Sequence, residues 1–103
     1  MSNADIFSRI DALFEQQRAG DVTLHELGQA VEGHVNALEG VEYRDAIIVR
    51  DSAYDLKHQA QLKIQPYTQG DTWDHEYYDE VREGQAFNEL KKAVAHIRKQ
   101  LES

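Results

Sequence analysis

The chain has no cysteine, a single proline and six glycines in 103 residues. Without thiols there is no disulfide, no thiolate nucleophile and no cysteine-type zinc site. So few turn residues argue against an all-β or loop-rich chain, which needs them at every reversal. No run is long and apolar enough to span a membrane. The start lacks a basic-then-apolar signal pattern, and Met1-Ser2-Asn3-Ala4 is given no functional weight. These absences together read as a cytoplasmic protein in a reducing compartment. Basic residues are also in deficit, with 11 Lys and Arg against 19 Asp and Glu, for a net charge of −8. That balance argues against nonspecific binding to nucleic acid or anionic membrane, both of which need a basic footprint. It permits binding to a basic protein, and it equally suits acidity that only keeps a small protein soluble.

What remains is a chain rich in amphipathic runs. Ile6, Phe7, Ile10, Leu13 and Phe14 recur at helical spacing and predict a first helix from about Ala4 to Ala19. Ser2 or Asn3 stands where its cap belongs, and Gly20 where a left-handed residue ends a helix. Thr23-Leu24-His25-Glu26 is a capping box. Behind it Leu24, Leu27, Val31, Val35 and Leu38 form a core-facing stripe that stops at Gly40. Gly28 and Gly33 weaken this helix unless another helix approaches them closely. A third helix is expected from Glu42 to Ile64. Its stripe is Val49, Ala53, Leu56, Ala60 and Ile64, with Tyr43, Ile47 and Tyr54 beside it. Ala46 to Val49 also fits a short buried strand, but the polar, unbroken flanks favour helix. Pro66 ends it. Phe87, Leu90, Val94, Ile97 and Leu101 mark a final helix, with Gly84 as a possible break from a shorter one before it. The expectation is one all-α domain over residues 1–103: a small antiparallel four-helix bundle with an irregular acidic-aromatic segment before the last helix.

That segment, Pro66 to Glu83, is compositionally apart. It holds the only tryptophan, three of the five tyrosines, and six carboxylates against one arginine, so it carries −5 of the chain's −8. Large rigid rings between carboxylates make a contact surface for a basic partner. The candidate partner-binding residues are Asp71, Trp73, Asp74, Glu76, Tyr77, Tyr78, Asp79, Glu80 and Glu83. Against this, Asp71 or Asp74 caps a further helix, with other acids in its first turn. Helix initiation accounts for two or three of the acids but not for all six. Trp73 and one tyrosine also suit the open end of the core, and adjacent Tyr77 and Tyr78 point different ways. Glu39, Glu42 and Asp45 form a smaller acidic group, best read as a solvated helix start.

No catalytic or cofactor pattern competes. His75 and Asp79 are four apart, near Asp71, Asp74, Glu76 and Glu80, but the spacing matches neither an EF-hand nor H-E-x-x-H. Glu-x-x-His, the ligand pair of di-iron bundles, does not occur; Asp55-Leu56-Lys57-His58 comes nearest. Phosphate-binding glycine loops are missing, and no serine stands by a histidine in a nucleophile turn. The chain reads as a non-enzyme with no metal and no cofactor.

The layout resembles the small acidic helical immunity proteins that protect bacteria from bacteriocins or contact-dependent toxins, of the type resembling colicin D immunity protein. The likeness lies in Ile10-Asp11-Ala12-Leu13-Phe14 followed by Gly20-Asp21-Val22-Thr23-Leu24-His25-Glu26-Leu27, a helix, a Gly-polar turn and a capped helix. It continues in the acidic-aromatic segment before a last amphipathic helix. The resemblance implies an inhibitor whose acidic side chains cover the basic active site of a nuclease toxin. A phage-type inhibitor of a nucleic-acid-binding complex has the same chemistry. A helical homodimeric adaptor, with its aromatic stretch self-buried, is the rival from another class.

Overall fold

The computed structural model describes residues 1–64 and 77–102. Among the described residues four helices follow one another: α1 (Asn3–Arg18), α2 (Leu24–Ala37), α3 (Tyr43–Ile64) and α4 (Glu80–Glu102). The described residues contain no strand, and the Ala46–Val49 run is helical.

Local chemistry sets the helix ends. The Ser2 hydroxyl accepts from the Asp5 N–H and caps α1. At the other end Gly20 adopts φ +87°, open to glycine without a Cβ clash. The Gly20 N–H then donates to the Gln17 carbonyl and the Asp21 N–H to the Gln16 carbonyl, the paired bonds of a Schellman stop. The capping box forms at α2: the Thr23 hydroxyl accepts from the Glu26 N–H, and the Glu26 carboxylate accepts from the Thr23 N–H. Gly40 repeats the left-handed φ of +87° after α2. Asn3 contributes to the fold too. Its amide donates to the Glu39 carbonyl and accepts from the Glu39 N–H, both at 3.0 Å, and so ties the start of α1 to the end of α2.

Contacts between helices fix their directions. Asn3 meets Glu39, so α1 and α2 are antiparallel. Lys57 on α3 reaches Gln29 and Glu32 on α2. Asp45 meets His96 at one end of the α3–α4 pair, and Gln59 meets Asp79 at the other. Between α4 and α1, Phe14 and Phe87 pack edge to face at 5.9 Å. Arg98 grips both Asp11 oxygens at 2.9 and 3.1 Å while lying over the Phe7 ring. The result is an up-down-up-down bundle, as the periodicities require.

The stripes converge on one core. Phe7, Ile10, Leu27, Val31, Val49, Leu56, Leu90 and Ile97 are buried within it. Burying each such side chain contributes about 1.5–3 kcal/mol. Gly28 sits at a close approach of α2 to α3: a Cβ there would stand 3.1 Å from Lys57 Cγ and 3.3 Å from the Ala53 carbonyl oxygen. Gly33 has no such neighbour.

Four expectations need correction. Ile64 is not a core residue but 75% exposed, at the last position of α3. Leu62 is buried in that last turn instead. Tyr43 and Tyr54 are exposed on the outer side of α3. Gly84 does not break α4; the helix runs through it from a cap further upstream. Asp45 is not solvated but 7% exposed, turned toward His96 of α4.

Candidate functional site

The acidic-aromatic segment is described from Tyr77 onward; Asp71, Trp73, Asp74 and Glu76, and the helix start expected at Asp71 or Asp74, lie outside the described residues. Its visible part is the three-residue approach to α4 and the first turn of that helix.

Asp79 does structural work. Its Oδ1 accepts from the Val81 N–H at 2.9 Å and the Arg82 N–H at 3.3 Å, so its side chain caps α4. Two otherwise unpaired amide donors are satisfied, and the negative charge suits the helix N-terminus. The Asp79 N–H in turn donates to Gln59 Oε1 at 2.8 Å. Gln59 is 5% exposed on the inner face of α3, and this bond anchors the approach to the bundle.

Tyr78 and Glu83 form a second fixed pair. The Tyr78 hydroxyl donates to Glu83 Oε1 at 2.8 Å. That hydrogen bond raises the phenol pKa to about 12, with desolvation and the charges of Glu83, Glu80 and Asp79 acting in the same direction. Losing the proton would place a phenolate against a carboxylate, which is why the neutral form is held. The Lys63 ammonium lies 5.4 Å from the Tyr78 ring centroid. Glu83 Oε2 is buried and, among the described residues, has no hydrogen-bond partner.

Tyr77, Glu80 and Val81 face outward. Tyr77 and Val81 are each 67% exposed, and Glu80 is exposed in the first turn of α4. Tyr77 and Tyr78 do diverge, one outward and one half-buried against its neighbours, although they precede the helix rather than belong to it. The nine sequence candidates thus divide. Asp79 is committed to capping and Glu83 to Tyr78, while Tyr77 and Glu80 present ring and charge to solvent.

Three participants were not among the candidates: Gln59, Lys63 and Val81. Gln59 left a trace in the sequence, since an amide stands on the stripe between Leu56 and Ala60, where an aliphatic residue belongs. Lys63 and Val81 left none, because their roles arise from the packing of α3 against α4.

This arrangement offers a rim of ring, methyl groups and carboxylate on a pinned backbone. Among the described residues no group of three or more His, Asp or Glu side chains is placed to hold a metal ion. No helix among them is long and apolar enough to cross a membrane. The described residues form a small all-α four-helix bundle, with Asp79, Glu80 and Glu83 at the start of α4. Comparison with protein-family models, curated proteins and solved structures finds no match.

Proposed function

We propose that the chain is a non-catalytic inhibitor that binds a basic surface on another protein, as an immunity protein blocks a nuclease-type toxin. The observation that carries this reading is the outward presentation of Tyr77, Val81 and Glu80 on a backbone anchored through Asp79 to Gln59. Exposed aromatic and apolar groups supply contact energy, and their fixed backbone lowers the ordering cost of binding. The −5 charge of the whole segment supplies attraction and steering. A phage-type inhibitor of a nucleic-acid-binding complex differs only in the identity of the basic partner.

The test is capture from lysate of the source cells at low salt, followed by purification of any basic protein retained. A fourfold variant, D71N/D74N/E76Q/E80Q, removes charge while leaving the Asp79 cap and the Tyr78–Glu83 bond intact. Tyr77→Ala removes the exposed ring. Retention of a basic protein that both variants weaken at least tenfold supports the reading. Retention unchanged in both would sink it.

One observation favours a second reading. Tyr43 and Tyr54 are 78% and 63% exposed on the outer side of α3, which suits a homodimeric adaptor. Sedimentation at micromolar concentration decides this, since a monomer eliminates the dimer.

A further inference from the structure

The strongest unassigned feature lies at the other end of the α3–α4 pair. Asp45, in the first turn of α3, is 7% exposed. Among the described residues no hydrogen bond reaches its carboxylate. Its nearest charge partner is His96 Nε2 at 3.7 Å, beyond hydrogen-bond reach and cationic only when protonated. Its side chain is 9% exposed, so only a narrow opening to water serves a carboxylate that has no protein donor among the described residues, which is unfavourable. The fold therefore supplies only part of an ion pair.

Asp45 lines a groove of about 260 Å³ between α3 and α4, whose other walls are Ile48, Ala93, Glu89, Lys92 and His96. Ile48 is 47% exposed, high for an isoleucine in a bundle. Glu89 and Lys92 carry opposite charges, so with His96 neutral the net charge of the groove lining is that of one carboxylate. We propose that this groove receives a lysine side chain from a basic partner protein, its ammonium on Asp45 and its methylene stem along Ile48 and Ala93. Lysine fits the chemistry better than arginine. Its charge is a compact tip on an apolar stem, whereas a planar guanidinium fork needs a more open carboxylate. The assignment of the lysine to a protein rests on the inhibitor reading above; the groove's preference for an alkylammonium does not. His96 to Glu80 spans sixteen residues of α4, about 24 Å of helix, so this is a second contact point.

The probe is the peptide acetyl-Gly-Lys-Gly-amide, titrated into ¹⁵N-labelled protein, with norleucine in place of lysine as the uncharged control. The lysine peptide is expected to shift the Asp45, Ile48, Ala93 and His96 amides saturably, with a dissociation constant on the order of millimolar. The norleucine peptide binds at least tenfold more weakly. Asp45→Asn and Ala93→Leu both abolish the response, the second by filling the groove while keeping the charge. The D71N/D74N/E76Q/E80Q variant binds the peptide like the parent, so failure of the acidic-aromatic surface leaves this result standing. Shifts that do not saturate, equal binding of norleucine, or binding that survives both Asp45→Asn and Ala93→Leu overturn the proposal.

Discussion

Two glycines on α2, five residues apart, are expected to respond to alanine with opposite signs. Gly33 is exposed, has an ordinary helical φ, and offers a Cβ nothing within 4 Å. Gly33→Ala gains only helix propensity and stabilises the fold by up to about 1 kcal/mol. Gly28→Ala gains the same propensity but drives its methyl to 3.1 Å from Lys57 Cγ and 3.3 Å from the Ala53 carbonyl oxygen. Lys57 cannot swing away freely, because its ammonium is held by Gln29 at 3.3 Å and Glu32 at 3.4 Å. The carbonyl belongs to the α3 backbone and moves only with the helix. Overpacking of this kind costs about 1–3 kcal/mol, which equals or exceeds the propensity gain. The two variants should therefore differ by about 1–3 kcal/mol, with Gly28→Ala the less stable. Urea denaturation followed by circular dichroism measures the difference. In thermal melts it appears as about 4–8 °C per kcal/mol for a domain of this size. If Gly28→Ala proves as stabilising as Gly33→Ala, α2 and α3 do not approach as closely as described and the packing argument is wrong.

Other predictions concern the anchored approach to α4 and the helix caps. Tyr78 should ionise near pH 12 in a spectrophotometric titration, and Glu83→Ala should return it toward 10.0. Because the folded pKa is raised, the Tyr78–Glu83 contribution to stability is complete below pH 10. It is lost as pH rises from 10 to about 12, so the parent and Glu83→Ala should converge in stability across that window. Gln59→Leu leaves the Asp79 N–H without its acceptor and should cost about 1 kcal/mol. Amide exchange at Asp79 should accelerate in the same variant; unchanged protection would show that the bond is not the anchor. Thr23→Ala removes half of the capping box and should destabilise by about 0.5–2 kcal/mol, read by urea denaturation.

The bundle was legible because each helix carries its own period and its own stop. Thr23 and Glu26 announce α2, Gly20 and Gly40 end helices, and the stripes through Leu27, Leu56 and Leu90 give the core. The failures occur where the decision belongs to a neighbouring helix. Ile64 continues the α3 stripe in sequence, but at the last position of the helix it is exposed while Leu62 is the buried residue of that turn. Asp45 resembles any acid in a first turn until α4 brings His96 alongside it. Gly84 looks like a break, yet a helix capped by Asp79 runs through a glycine at a cost of about 1 kcal/mol. In the candidate site the acidic-aromatic composition drew attention to the start of α4. It did not separate the acids that build the helix from those that face solvent. That division depends on Gln59, which composition does not reveal.

The measurement closest to the central claim is the association rate between this protein and its captured basic partner as a function of salt. On the proposed inhibitor reading, electrostatic steering would act through the −5 segment, and such attraction is screened within about 10 Å at 0.1 M salt and about 3 Å at 1 M. The account predicts a fall of at least about tenfold in association rate between 20 and 500 mM salt, with a much smaller change in dissociation rate. The D71N/D74N/E76Q/E80Q variant should start low and respond weakly to salt. An association rate that stays flat across this range, or a variant that matches the parent at every salt concentration, would contradict the account.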